Sequence, residues 1–176
     1  MRSVIYGAAC SLDGFIAGPQ GEIDWLHFSA DVTEFTTRFW KRIDTVLMGR
    51  KTYEVATAMG NGGGSMPGIK STYVFSRTLT SIKGKGTKLI SDNAGDFVRA
   101  LKADEGKDIC ILGGGDFGRS LFEAGVVDEV GLNIHPILLG SGVPLFLDAG
   151  KRIGLELTEN RTIGGGCVLA TYRVVT

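Results

Sequence analysis

The architecture of this chain can be read outward from Asp108-Ile109-Cys110-Ile111-Leu112-Gly113-Gly114-Gly115-Asp116-Phe117-Gly118-Arg119-Ser120-Leu121-Phe122. An apolar run stops at three consecutive glycines, and helical spacing of Phe117, Leu121, Phe122 and Val126 starts at once. Strand, glycine turn, helix is a layout in which a helix N-terminus and bare backbone N–H groups face an anion. Glycine suits it because no Cβ blocks a phosphate and unusual φ/ψ values cost little. The run is not the G-x-G-x-x-G fingerprint in its usual place near a chain's start. A tight turn without a ligand fits the stretch equally well, so the rest of the chain has to decide.

The 176 residues are enough for one domain that buries most of its apolar surface without staples. Lys plus Arg and Asp plus Glu number 19 each, so no global field draws the chain to nucleic acid or anionic lipid. Cys10, Cys110 and Cys167 are odd in number, lack C-x-x-C spacing and read as buried reduced thiols. His27 and His135 have no cysteine or histidine at ligand spacing, which argues against zinc. No stretch matches the roughly 20 apolar residues of a membrane helix, and no targeting signal is visible, so the expected location is the cytoplasm.

Along the chain, residues 3–10 read as a buried strand, followed by a loop with Asp13-Gly14 and Gly18-Pro19 breakers. A helix over 29–42 is expected, with Ser29 or Asp31 as cap and Val32, Phe35, Phe39, Trp40 and Ile43 on its apolar face. Strands at 44–49, 71–76, 87–91 and 109–112 alternate with helices from Arg50, from Asp92 or Asn93, and over 116–125. Residues 61–65 read as a flexible loop. Strands at 127–134, 155–163 and 167–174 close the chain, the last two joined by Gly164-Gly165-Gly166. This is an α/β chain with a mostly parallel central sheet, helices on both faces and an antiparallel C-terminal strand pair.

Three strands end alike: Met48-Gly49-Arg50-Lys51-Thr52, Phe75-Ser76-Arg77-Thr78 and Leu112-Gly113-Gly114-Gly115. Ligands bind outside the carboxyl ends of strands in open α/β sheets. Cations at the start of a helix oppose its dipole, and a bound phosphate would resolve the conflict at Arg50 and Lys51. A pair of guanidinium groups, Arg50 and Arg77, matches the geometry of a ribose 2′-phosphate.

These stretches, with Ala9-Cys10-Ser11-Leu12-Asp13-Gly14-Phe15-Ile16-Ala17 and Asp128-Glu129-Val130-Gly131-Leu132-Asn133-Ile134-His135-Pro136-Ile137-Leu138-Leu139-Gly140-Ser141-Gly142-Val143-Pro144-Leu145-Phe146, resemble the dihydrofolate reductase superfamily. Within it the chain is similar to the RibD C-terminal, riboflavin-type reductase branch, over nearly its whole length. The resemblance implies an NADPH-dependent reductase, dimeric through the C-terminal sheet. It places Ala9, Ile16 and Ala17 beside the nicotinamide, and Gly49, Arg50, Lys51, Thr52, Ser76, Arg77, Thr78 and Ser91 around the adenosine end. Leu112, Gly113, Gly114, Gly115, Asp116, Phe117 and Gly118 then embrace the pyrophosphate, with a cis peptide at Gly113-Gly114 or Gly114-Gly115.

Folate reductases carry a carboxylate on the first helix. Asp31 stands about one residue from that position, as proton donor or as plain helix cap, and Asp13 is a second catalytic candidate or a turn former. Trp25 reads as a wall of the substrate pocket, and Asn133 as a side chain pointing into it. The implied activity is hydride transfer to a small heterocycle, as in reduction of a ribosylaminopyrimidine. The H-x-E…P-C-x-x-C deaminase signature of bifunctional relatives is absent. A true dihydrofolate reductase and an NADPH-binding protein without turnover are the rival readings.

Overall fold

The computed structural model describes residues 1–60, 68–148 and 150–175; the loop expected over 61–65 lies outside them. The first strand, β1 (Val4–Ser11), is apolar on both pleat faces because both are covered. It runs through the middle of an eight-stranded sheet with β3 (Ile43–Gly49), β4 (Ser71–Phe75), β5 (Thr87–Ile90), β6 (Asp108–Leu112), β7 (Glu129–His135), β9 (Gly154–Ile163) and β10 (Cys167–Val175). The order is β5-β4-β3-β6-β1-β7-β10-β9. The pairs from β5 to β7 are parallel, and β10 is antiparallel to both β7 and β9. Two short strands, β2 (Phe15–Ala17) and β8 (Val143–Pro144), form a separate antiparallel pair.

Among the described residues four helices cover the sheet: α1 (Ala30–Lys41), α2 (Arg50–Ala58), α3 (Ala94–Ala103) and α4 (Gly115–Glu123). On one face Phe39 and Trp40 of α1 and Tyr53 of α2 pack on Ile5, Val46, Met48, Val74 and Cys110. On the other, Val98 and Leu101 of α3 and Leu121 and Phe122 of α4 pack on Val4, Tyr6, Leu47, Ile109 and Ile111. The sheet therefore has helices on both faces, as the alternation of elements implies. All three cysteines are buried and unpaired.

One boundary moves. Ile43 continues the apolar spacing of α1, yet Arg42 caps that helix and Ile43 is the first residue of β3. Burial between the two helix layers outweighs the continuing periodicity. Ser29, the better-placed of the two cap candidates, accepts the Val32 N–H at 3.2 Å, and Asn93 caps α3 through Asp96 N–H at 3.1 Å.

Candidate active site

The carboxyl ends of β1, β3, β4, β5, β6 and β7 share one edge of the sheet, and Gly49, Ser76, Ser91 and Gly113 stand at the ends of β3, β4, β5 and β6 there. Chain direction splits between β3 and β6. From β3 the crossover through α2 leads to β4 on one side, while from β6 the crossover through α4 leads past β1 to β7 on the other. This is a topological switch point, where open α/β sheets leave a crevice. Met48 and Leu112 are register partners at its floor.

The two helices that start beside the crevice differ from the other two. Gly49 and Gly114 are the N-caps of α2 and α4, and neither helix has a side-chain cap, whereas α1 and α3 do. Their first backbone N–H groups have no side-chain cap as acceptor. Around them the glycine turn is tightly enclosed. A Cβ on Gly113 would lie 2.1 Å from Thr52 Oγ1. One on Gly114 would lie 3.0 Å from the carbonyl oxygens of Pro144 and Leu145 and 3.2 Å from Ile16 Cδ1, while Gly115 faces open space. Thus β2, β8 and the first turn of α2 converge on the turn that follows β6.

The turn departs from expectation in one respect. Both peptide bonds expected as alternatives for the cis form are trans, as are all others among the described residues. The turn is made instead by left-handed φ values of 84° at Gly113 and 69° at Gly115.

Beside the crevice, Ser76 Oγ accepts the backbone N–H groups of Thr78 (3.1 Å) and Leu79 (3.0 Å), fixing the turn that exposes Arg77. Ser91 follows the end of β5, where Ile90 O accepts the Ser76 N–H. Arg50 bonds Glu54 at 2.8 Å, and Lys51 is exposed. Asp116 is exposed and paired with Arg119 at 3.0 Å. Phe117 stacks on Phe75 with centroids 4.8 Å apart, joining α4 to β4. At Gly118 a Cβ would meet Tyr6 at 2.9 Å, so its small size serves the packing of α4 on β1.

Ala9 and Asn133 are register partners. Ala9 is half-buried, and Asn133 Oδ1 is buried with no hydrogen-bond partner. Trp25 is half-buried and stands edge-on to His135 at 5.4 Å. Ala17 pairs with Val143 in the small sheet.

The two carboxylates are placed differently from a buried acid. Asp13 is exposed and accepts from Ser11 Oγ (2.6 Å), Leu139 N (3.1 Å) and Gly140 N (2.7 Å). The Ser11 hydroxyl, followed by these backbone N–H groups, outweighs burial and holds its pKa below the usual carboxylate value. It ties the β1–β2 turn to the 137–140 loop and stays ionised. Asp31 falls in the first turn of α1 on the outer side from Val32; it is exposed and accepts Gly164 N–H at 3.1 Å.

Two features had no clear signal in the sequence. His135 is 2% exposed, and its Nδ1 accepts the His27 backbone N–H at 3.3 Å, a contact across 108 residues. A cavity of about 340 Å³ on the α4 face is lined by Tyr6, Phe122, Leu145, Phe146 and Ile153, among others. Tyr6 crosses toward it and donates to Leu145 O at 2.6 Å.

Comparison with known proteins agrees with this fold. The Bacillus subtilis (strain 168) protein YyaP, itself uncharacterized, is 37% identical over 97% of this chain and 94% of its own length. A solved Shewanella sp. PV-4 protein, provisionally named for riboflavin biosynthesis, superimposes with a TM-score of 0.85 at 26% identity, covering 99% of this chain and 100% of that one. Dihydrofolate reductase from Enterococcus faecalis, solved with NADP(H), shares the fold with a TM-score of 0.71 at 17% identity, over 99% of this chain and 97% of that one. The RibD C-terminal domain model matches residues 2–169. The chain belongs to the RibD C-terminal domain family.

Proposed function

We propose that the chain is an NADPH-dependent reductase that transfers hydride to a small heterocyclic substrate. It is similar to the 5-amino-6-(5-phosphoribosylamino)uracil reductase half of bifunctional riboflavin-pathway proteins, one of which, from Thermotoga maritima, shares its fold. The observation that carries the reading is the pair of uncapped helix starts flanking the Gly113-Gly114-Gly115 turn at the switch point.

The residues fit a dinucleotide. Helix N-termini and a Cβ-free turn accept phosphate oxygens, and Thr52 Oγ1 adds a hydroxyl over Gly113. Arg77, which has no ion-pair partner among the described residues, would hold a 2′-phosphate with Lys51 and with Arg50 released from Glu54. Asp116 opposes an anion near α4, but its pairing with Arg119 offsets that charge. When bound, NADPH supplies the hydride. The protein's part is to hold the reactive ring beside Ala9, Ile16 and Ala17, wall the substrate with Trp25, and deliver a proton. From its exposed position at the start of α1, Asp31 would relay that proton from solvent. A homodimer through β9 is part of the proposal: this edge strand leaves Leu155 45% and Leu157 49% exposed.

The exposure of both carboxylates favours a second reading, an NADPH-binding protein without turnover. One experiment separates the two. The purified protein is titrated with NADPH, NADH and NADP⁺ by tryptophan fluorescence, and NADPH oxidation is then followed with pteridines and ribosylaminopyrimidines. Binding of NADPH over NADH with oxidation by one of these acceptors supports the reductase. Binding without oxidation supports the second reading, and no binding of either nucleotide removes both.

A further inference from the structure

Among the described residues, three buried polar side-chain atoms have no hydrogen-bond partner: Arg119 Nε, Asn133 Oδ1 and His135 Nε2. Arg119 has its charge met through Asp116. The other two stand two residues apart on β7, so the pleat turns them to the same face. Buried polar groups are ordinarily bonded, and two orphans side by side on one strand call for a partner.

Their chemistry is complementary. Because His135 Nδ1 accepts the His27 N–H, the ring hydrogen resides on Nε2. Burial, and then the charge of His27, hold the His135 pKa below its ordinary value, so the ring is neutral near pH 7. Cys167 Sγ lies 3.5 Å from Nδ1, and burial raises its thiol pKa, so no thiolate recharges the imidazole. The face thus holds a neutral N–H donor and, one pleat repeat away, a carboxamide oxygen acceptor. In register, Asn133 lies between Ala9 of β1 and Leu169 of β10. Trp25 stands edge-on to His135, with ring centroids 5.4 Å apart, and walls this face.

We propose that Asn133 and His135 determine substrate specificity: His135 Nε2–H donates to a carbonyl oxygen, and Asn133 Oδ1 accepts from an N–H, on one edge of an uncharged nitrogen heterocycle. This rests on the reductase reading, which puts the cofactor's reactive ring beside Ala9. A carboxylate or phosphate at this edge would meet the acceptor oxygen of Asn133 and a histidine without charge, and is disfavoured.

Calorimetry with two probes tests the pair on protein saturated with NADP⁺, that saturation being checked first. Lumazine offers carbonyl and N–H groups; 1,3-dimethyllumazine keeps the carbonyls and lacks the N–H groups. The wild-type protein should bind lumazine tighter than the dimethyl compound by about tenfold or more. Asn133→Leu should bring that ratio close to one. His135→Phe should weaken both probes by about tenfold, and His135→Gln, whose amide can still donate, should recover most of the loss. If His135→Phe does not fold, the Asn133→Leu ratio and His135→Gln decide. Equal binding of the two probes, no lumazine binding, an unchanged ratio in Asn133→Leu, or identical behaviour of the two His135 variants, with NADP⁺ still bound, overturns the pair and leaves the reductase reading standing. Failure of NADP⁺ itself to bind removes the reductase reading first, and the pair with it.

Discussion

Glycines 113, 114 and 115 sit in a row for three different physical reasons, and alanine substitution at each should separate them. Gly115 has φ 69° with nothing within 4 Å of its would-be Cβ, so Gly115→Ala meets only the left-handed backbone cost of about 1–2 kcal/mol, less a few tenths recovered from the unfolded chain. Gly115→Asn should cost less than Gly115→Ala, because asparagine tolerates that region. Gly113→Ala carries the same backbone cost and adds a Cβ 2.1 Å from Thr52 Oγ1. Rotating Thr52 gives only partial relief, since its Cβ stays 3.2 Å from the same point. Overpacking adds about 1–3 kcal/mol, for a total of about 2–4. Gly114 has an ordinary φ of −104°, so Gly114→Ala costs only what shifting the Pro144 and Leu145 carbonyls requires, about 1–3 kcal/mol. The assay is urea unfolding at constant m, followed by NADPH titration of each variant. In a Thr52→Ala background the Gly113→Ala cost should fall toward that of Gly115→Ala, a coupling of about 1–2 kcal/mol. A Gly113→Ala variant no less stable than Gly115→Ala, or additivity with Thr52→Ala, would refute the steric account of the turn.

Arg77→Ala should weaken NADPH binding by about tenfold or more and leave NADH unchanged, because only the 2′-phosphate loses a partner; equal losses for both nucleotides would move Arg77 out of the site. Asp44→Ala should destabilise the fold by about 3–5 kcal/mol in urea, since Arg2, 7% exposed, loses its 2.5 Å carboxylate partner. Burial alone would raise the Asp44 pKa, but the Lys107 N–H, the Thr45 hydroxyl, Arg2 and Lys70 together hold it below the usual value. Its contribution is therefore fully present above the unfolded pKa near 3.9 and is lost as pH falls through that value toward the lower folded one. His135 has the same sign at higher pH: its lowered folded pKa gives stability above about pH 6.5 that declines as pH falls below it. His135→Gln should flatten that part of the urea-midpoint curve.

Long apolar runs bounded by glycine announced β1, β3 and β6, and the three similar strand ends announced the crevice. What escaped the sequence was short or nonlocal. The strands β2 and β8 have three and two residues, too few for a period-two pattern to register, although they form the roof over Gly114. Gly118 sits inside the glycine-rich run and reads there as part of a phosphate cradle, yet only its distance to Tyr6 on another element reveals a packing role. Asp31 precedes an apolar position by one residue, and that single residue of helix phase puts it outside rather than against the core. His135 looks unremarkable beside Pro136 because its partners, His27 and Cys167, come from distant segments.

The two edges of the sheet obey opposite rules, and that contrast bears on function. At the amino ends of the strands polar groups are closed upon one another. Arg2 bonds Asp44, Thr45 and the Lys107 carbonyl; Arg42 spans Asp108 and Glu129; Lys102 meets Asp128, which also accepts the Val4 N–H. These links join the starts of β1, β3, β6 and β7 where a fraying sheet would open. At the carboxyl ends three of these strands, β3, β6 and β7, finish in uncapped helix starts, a Cβ-free turn and two orphaned polar atoms. Local stability alone would favour Asp or Ser over the glycine at position 49, where a side-chain cap is worth about a few tenths of a kcal/mol. It would equally favour a bonded partner for Asn133. Leaving both ends of the crevice unsatisfied is destabilising unless something that binds there satisfies them, and the closed amino edge supplies the rigidity that lets the open one persist.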